Sequence, residues 1–340
     1  MKRTLVLCGL SLIVLLSVGI CAVSAKAPTM PKILFTSARD GNYEIYMMNP
    51  DGTEQVNLTQ DRDADVGAVW SPTGEQILFT SDRDGVRDLY LMDPDGDNVR
   101  RVFKKEAYRS DPAWSPDGKQ ITYAYAEGLG SPDFIHIATL GDQKEQLVAT
   151  GFYPAWSPDG TEIAYISYVP IGHARRVRFV DIRTRKLTRL LPKEAMDWQN
   201  SPSWLGTSDK LVFSWNKHPL PPDFNPLKDR FPPAWRNKET IYIVNRDGTD
   251  LQQLVDEAGS YAQYPASSPN GEDVLYTQAI DGHFQIFKID VNSGIRTQLT
   301  HIVGRNLGGN WFDPAYALPV SPKPHLLTTT WADVKTHKLH

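Results

Sequence analysis

The sequence predicts an all-β protein, a six-bladed β-propeller of four-stranded antiparallel blades whose ring is closed by strands from the N- and C-terminal parts of the chain. Three observations support this fold. One motif recurs six times, the segments around it alternate apolar and polar residues as half-buried strands do, and glycine-containing tight turns separate these segments. Four short strands in a repeat of about 40–50 residues are typical of a propeller blade.

The first predicted element is a signal peptide over residues 1–25. A short basic head precedes an almost unbroken apolar stretch, and small residues precede a predicted cleavage site after Ala25. Two alternatives stay open: an uncleaved anchor, because the stretch approaches the ~20 residues that span a bilayer, and a lipid on Cys21. Cleavage would remove both cysteines and leave a cysteine-free chain in the periplasm or outside the cell.

The propeller is predicted over residues 26–340. Residues 33–59 align with residues 77–102 without a gap, and each segment reads as two strands joined by loops that contain Asp-Gly. A second motif, Trp-Ser-Pro followed by a turn, opens each later repeat. Its tryptophan position is predicted at Trp70, Trp114, Trp156, Trp204, Ser267 and Tyr316. We expect these tryptophans to pack as wedges between neighbouring blades.

The two ends of the propeller indicate how the ring closes. The first repeat begins at its second strand and lacks the Trp-Ser-Pro strand before it. The last repeat supplies that strand around residues 313–316, so we expect the innermost strand of blade one to come from the C-terminal part of the chain. Residues 325–331 also read as a second strand, so the place of the tail, 317–340, stays open.

These motifs resemble the TolB-type propeller repeats. The resemblance rests on Trp-Ser-Pro-Asp-Gly with a downstream Ser-x-Arg-Asp-Gly loop, at 37–41 and 81–85, and covers nearly the whole chain after the predicted signal peptide. It extends to the propeller alone: TolB carries an α/β domain before its propeller, whereas only residues 26–31 separate the predicted cleavage site from the first strand. The resemblance implies the fold but no particular activity, because propellers support many functions.

Composition and motifs exclude several functional classes. The 36 lysine and arginine residues stand against 40 aspartate and glutamate residues, which excludes a nucleic-acid binder held by a basic surface. No nucleophile elbow, zinc-protease helix, phosphate loop or dinucleotide-binding glycine motif occurs, so no catalytic residue, metal or cofactor is predicted. We expect His173, His218 and His283 to be solvated loop residues; their convergence on a metal is the alternative.

The candidate binding residues lie on loops that join strand two to strand three, or strand four to the next strand one. These loops share one face of a propeller. Arg39 and Arg83 begin repeated Arg-Asp pairs, for which pairing with a carboxylate on an adjacent loop is the favoured interpretation. The other candidates are Tyr153, Trp198, Tyr264, His283 and Trp311. The four aromatics are placed a few residues before the tryptophan position, near the start of an inner strand, with rim packing as the alternative to ligand binding.

Residues 215–238 interrupt the fifth repeat between its second and third strands. The segment is rich in proline and aromatic residues, which excludes a ladder strand and a flexible linker. Long loops in compact domains are often lids or binding loops. The insertion is therefore expected either to cover the mouth of the channel or to pack as a surface excursion on blade five.

The predicted function is that of an exported, non-enzymatic propeller that binds another envelope protein or a peptide through its loop face. The alternative is an envelope enzyme of hydrolase or lyase type, or a carbohydrate-binding protein, with its site at the channel mouth. A nucleic acid is not expected as a partner. A membrane is expected only if the N-terminal segment stays uncleaved.

Overall fold

The computed structural model describes residues 26–128, 131–168, 175–196, 198–222, 224 and 229–319. The predicted signal peptide, His173 and the tail from residue 320 onward lie outside the described residues. Within them the chain forms 24 β-strands, a four-residue helix, α1 (Pro233–Arg236), and a 3-10 turn, Pro314–Tyr316. None of these helices is long and apolar enough to cross a membrane. The prediction of an all-β protein is confirmed.

The strands form six four-stranded antiparallel sheets, which confirms the six predicted blades. Blade one contains β1 (Lys32–Ser37), β2 (Glu44–Met48) and β3 (Val56–Asn57). Blades two and three contain β4 (Asp65–Trp70), β5 (Ile77–Ser81), β6 (Asp88–Met92), β7 (Arg100–Arg101), β8 (Tyr108–Trp114), β9 (Gln120–Ala126), β10 (Phe134–Thr139) and β11 (Glu145–Thr150). Blades four and five contain β12 (Phe152–Trp156), β13 (Glu162–Tyr168), β14 (Arg175–Asp181), β15 (Leu187–Arg189), β16 (Gln199–Trp204), β17 (Lys210–Trp215), β18 (Thr240–Asn245) and β19 (Gln252–Gln253). Blade six contains β20 (Ala262–Ser267), β21 (Asp273–Ile280), β22 (His283–Asp290) and β23 (Arg296–Gln298).

The ring is closed by β24 (Asn306–Phe312), which pairs with β1 as the innermost strand of blade one. The innermost strands contact their neighbours all round the ring, from β4 through β20 to β24 and back to β4. The prediction that the C-terminal part closes the ring is confirmed, but the strand lies before residues 313–316, not around them. Those residues turn out of the sheet because Pro314 has no N–H for the ladder and the Asp313 carboxylate accepts the Ala315 N–H at 2.9 Å.

The register of β24 corrects the sixth tryptophan position. Trp70 pairs with Ile77 in blade two, and Trp311 pairs with the equivalent Ile33 in blade one. The sixth copy is therefore Trp311, not Tyr316. Trp311 lies near the end of its strand, so its predicted place near the start of an inner strand is wrong.

The tryptophans pack between blades, as predicted. Trp70 lies in a cluster of side chains from blades one and two, with its ring centroid 5.4 Å from that of Phe312. Trp311 packs in the cluster between blades six and one. Blade six has Ser267 at this position, and its Oγ accepts the Gly206 N–H at 3.0 Å. Gly206 has φ +55°, and a Cβ there would lie 2.8 Å from a backbone nitrogen of blade six, so this close contact requires glycine.

Candidate binding site at the channel mouth

One end of the ring carries the predicted binding loops. The start of each innermost strand faces the end of the next strand: Asp65 pairs with Ser81, and Asn306 pairs with Ser37. The loops that follow strand two of each blade therefore lie beside the loops that precede strand one. We call this end of the ring the loop face. The insertion of blade five lies there too, between β17 and β18.

A ring of backbone bulges lines the axis below the loop face. Near its middle, each innermost strand shifts register against its neighbour. One residue in each bulge has a left-handed backbone, with φ between 45° and 68°: Gly67, Asp111, Tyr153, Ser201, Tyr264 and Gly308. A proline follows each of the four that are not glycine, so the interrupted ladder leaves no unpaired N–H there. Left-handed residues with side chains are uncommon and cluster at functional sites.

The bulge residues surround a cavity of about 200 Å³ on the axis. Across it the rings of Tyr153 and Tyr264 meet edge to face, with centroids 6.3 Å apart. Burial raises the pKa of Asp111 to about 6, and the neighbouring carboxylate of Asp133 acts in the same direction. Burial also raises the pKa of both tyrosines. The channel therefore holds neutral phenols beside a carboxyl group that titrates near neutral pH.

A second cavity, of about 450 Å³, opens on the loop face between blades four, five and six. We call it the mouth pocket; it is lined by Arg175, Trp198, Asn200, Arg230, Phe231, Trp235, Arg236, Glu239 and Gln263. The insertion supplies four of these residues. Both interpretations of the insertion hold in part, because α1 packs on blade five and its side chains wall the mouth of the channel.

Aromatic packing fixes the insertion on blade five. The Trp198 ring lies 4.7 Å from the Phe231 ring and 5.5 Å from the Trp235 ring, both nearly perpendicular to it. The indole N–H of Trp235 donates to the Pro219 carbonyl at 2.8 Å, and the Asn216 amide donates to the Trp235 carbonyl at 2.7 Å. These contacts hold the pocket wall in one position before any ligand binds.

The mouth pocket is positively charged. Among the described residues that line it there is one carboxylate, that of Glu239. It accepts hydrogen bonds from Ser214 Oγ at 3.0 Å and from Gln263 Nε2 at 2.8 Å, and burial raises its pKa. Of the three guanidinium groups, that of Arg236 lies 4.2 Å from the Tyr261 ring and donates to its hydroxyl at 2.8 Å. Arg175 and Arg230 form no ion pair within the part of the chain that the structure describes. In the described lining of the pocket, three cations thus face one carboxylate.

Three of the predicted site residues come together here. Tyr153 and Tyr264 line the channel, and Trp198 lines the mouth pocket above it. Arg39 and Arg83 instead act inside their own blades. Arg39 donates to the Asn306 side chain at 3.1 Å, and Arg83 donates to both Asp65 oxygens at 3.0 Å. These contacts fit a structural role for the Arg-Asp loops. The partners differ from the expected carboxylate on an adjacent loop, because each arginine contacts the first residue of its innermost strand.

The remaining candidates lie away from the channel. Trp311 is the wedge between blades six and one, and His283 accepts the Gly304 N–H at 3.3 Å through Nδ1. His218 lies 2.9 Å from Glu257 through Nε2, and His173 is outside the described residues. Across the described ranges, no group of three or more His, Cys, Asp or Glu side chains could hold a metal ion.

Asp111, Arg230 and Arg236 were missed as candidate residues. The repeat carries the signal for Asp111, because the residue three positions before the wedge position lines the channel in every blade. No sequence pattern indicates the two arginines, since their place depends on how the insertion folds back. Arg175 begins β14 and Asn200 is the second residue of β16, so both lie at the ends of strands that adjoin the loop face.

Comparisons with known proteins agree with this architecture. A family model described as the TolB beta propeller domain matches residues 13–204. A 74-residue segment is 32% identical to part of an uncharacterized protein of Agrobacterium fabrum. The segment covers 22% of this chain and 25% of that protein. Two solved structures are similar. TolB from Acinetobacter baumannii has a TM-score of 0.66 at 16% identity, and the match covers 82% of this chain and 66% of that one. A TolB candidate from Agrobacterium tumefaciens has a TM-score of 0.60 at 18% identity, and the match covers 83% of this chain and 92% of that one. At these identities the structural similarity shows the fold alone.

Proposed function

The chain belongs to the TolB β-propeller domain family, and on this premise we propose that it is a non-enzymatic module that binds an envelope protein or a peptide at the mouth of its channel. The observation that carries the proposal is the mouth pocket. An insertion that no other blade has is fixed by aromatic packing against Trp198 and walls a cavity of about 450 Å³. Binding sites in proteins have volumes of about 300–1,000 Å³.

The lining of the mouth pocket suits a protein or peptide partner. Tryptophan and arginine are the residue types that most often dominate the binding energy of protein interfaces, and Trp198, Trp235, Arg175 and Arg230 meet here. The wall is held in place by Trp235 and its hydrogen bonds, so little conformational entropy would be lost on binding. The pocket therefore has the composition and the rigidity of a recognition site.

A capture experiment tests this function. The purified full chain is immobilised and incubated with an envelope extract of the organism that encodes it. We expect one protein to be retained, and its retention to fall at least about tenfold with Trp198→Ala or with residues 219–232 replaced by a short glycine-serine linker. Leu187→Ala, on the exposed edge of blade four, is the matched control. Equal retention by the three variants would contradict the proposal, provided that their circular dichroism spectra match.

We further propose that the module acts in the periplasm or outside the cell. The proposal rests on the predicted signal peptide, residues 1–25, and on its basic head and small residues before the cleavage site. Mass spectrometry of the protein purified from its own cells tests it. We expect a mature chain that begins at Lys26; a chain that retains residues 1–25 would favour the membrane anchor.

An enzyme that acts in the channel is the second candidate function. The observation that favours it is Asp111, whose pKa of about 6 suits a general acid or base at neutral pH, beside Tyr153. A hydrolase or lyase of this kind would lose turnover of a polysaccharide on Asp111→Asn, and its rate would change with pH near 6. Turnover that survives Asp111→Asn would exclude this role for the carboxyl group.

A further inference from the structure

We infer that the mouth pocket recognises an acidic residue of a peptide, binding its carboxylate through Arg175 and Arg230 and its backbone N–H through Asn200. This inference rests on the proposed function and names the chemistry of the partner. Three features of the described residues carry it: cations without carboxylate partners, a glutamate whose oxygens are bound by neutral donors, and a buried acceptor with no donor.

The first feature is the state of the cations. Arg175 lies partly buried, with its guanidinium 5.5 Å from the Phe152 ring, and Arg230 is exposed at the pocket rim. Neither forms an ion pair with any carboxylate of the described residues. Arg83, elsewhere on the loop face, differs in this respect, because it pairs with Asp65 at 3.0 Å. A guanidinium beside apolar walls binds a carboxylate more strongly than one in open water, because fewer water molecules compete for it.

The second feature is that the carboxylate of Glu239 does not pair with Arg175 or Arg230. Each of its oxygens accepts a hydrogen bond from a neutral donor, Ser214 or Gln263. Burial raises its pKa, although Arg175 and Arg236 oppose that shift. Glu239 therefore leaves the guanidinium groups of the pocket available for an external anion.

The third feature is the buried oxygen of Asn200, which favours a peptide over an acidic sugar. Asn200 is 8% exposed, and its Oδ1 has no hydrogen-bond donor among the described residues. A buried acceptor without a donor is costly, and a ligand N–H would satisfy it. The Gln263 amide is already used by Glu239, so the pocket offers few neutral groups for the many hydroxyls of a sugar.

Two acetylated and amidated peptides test the inference: Gly-Phe-Glu-Phe-Gly and its neutral counterpart Gly-Phe-Gln-Phe-Gly. Each is titrated into the full chain and followed by intrinsic tryptophan fluorescence, because Trp198 and Trp235, two of the nine tryptophans, line the pocket. We expect the glutamate peptide to bind at least about tenfold more tightly, with an affinity that falls as salt rises. Arg175→Gln and Arg230→Gln should each reduce this preference to less than about threefold.

Two further variants separate the contribution of the Asn200 acceptor from that of the arginines. Asn200→Ala should weaken both peptides about equally and leave their ratio unchanged, because it removes the acceptor and not the cations. Arg62→Gln is the matched control, since Arg62 is exposed on the loop face outside the pocket and should change nothing. Melting temperatures within a few degrees of that of the unmodified chain establish that each variant folds.

Several outcomes would overturn the inference. These are equal binding of the two peptides, no binding of either at millimolar concentration, or a preference for glutamate that survives both arginine variants. A tetrasaccharide containing glucuronic acid that binds where the glutamate peptide does not would assign the pocket to a sugar. If the capture experiment retains a partner but the peptides do not discriminate, the binding function stands and the acidic ligand is wrong.

Discussion

The phenol rings of Tyr153 and Tyr264 meet edge to face across the channel, 6.3 Å between centroids, although they belong to blades four and six. Both residues are the left-handed position of a bulge, with φ of 50° and 55°. The bulge turns a side chain of an innermost strand toward the axis, where an unbroken ladder would direct it between blades. The equivalent bulges of blades three and five place Asp111 and Ser201 around the same channel.

Asp111→Asn should stabilise the protein at high pH. The pKa of this carboxyl is about 6 in the folded chain, against a usual 3.8, so the folded state keeps a proton that the unfolded chain releases. The favourable contribution of this group to stability is therefore full below about pH 4 and lost as pH rises through 6. We expect the variant to gain about 1–3 kcal/mol at pH 8 and nothing at pH 4, measured by urea unfolding at both values.

The control for this prediction is Asp97→Asn, at an exposed turn. It should change stability by less than about 0.5 kcal/mol at either pH. Burial is the main cause that raises the pKa of Asp111 and Asp133 adds to it, whereas Ser110, Arg87 and the Tyr153 backbone lower it. A less stable Asp111→Asn variant at pH 8 would contradict the assigned environment of the carboxyl group.

Trp311→Ala should destabilise the ring far more than Tyr316→Ala. Trp311 fills the gap between blades six and one, and its removal leaves a cavity that costs about 3 kcal/mol. Tyr316 is 53% exposed, so its truncation should cost less than about 1 kcal/mol. Denaturant midpoints of the two variants check this, and equal losses would show that the register of the closing strand is wrong.

Arg109→Leu should cost about 3–5 kcal/mol of the free energy of unfolding. The Arg109 side chain is fully buried and bridges Asp88 of blade two, at 2.9 Å, and Glu145 of blade three, at 2.7 Å. Its removal leaves two carboxylates without their cation, of which that of Asp88 is fully buried. Arg100→Leu, at an exposed position of blade two, should change little. Chemical unfolding of both variants measures the difference, and a loss below 1 kcal/mol for Arg109→Leu would refute the bridge.

The sequence was sufficient to predict the blades because their signals are local. A turn such as Asn49-Pro50-Asp51-Gly52 and the strands beside it lie within one repeat, so composition and spacing identify them. The closing strand was misplaced because its register depends on pairing with β1, more than 260 positions earlier. Residues 313–316 resemble the tryptophan motif without joining the ladder.

The candidate site was predictable only in part, for the same reason. Tyr153, Tyr264 and Trp198 stood out because aromatics at the start of inner strands are visible in the repeat. Arg230 comes to the pocket through the fold of the insertion, which no repeat describes. A prediction from sequence identifies which residue types are available, whereas the contacts of Trp198 with Phe231 and Trp235 determine which of them meet.

Site-specific photo-crosslinking in the living cell tests binding at the mouth pocket most directly. A photoreactive amino acid replaces Phe231, which lines the pocket, or Tyr316, which follows the far end of β24. We predict that the chain carrying it at position 231 forms a discrete crosslink to one partner on irradiation, and that the chain carrying it at position 316 does not. A crosslink from position 316 alone, or from neither position, would contradict binding at the channel mouth.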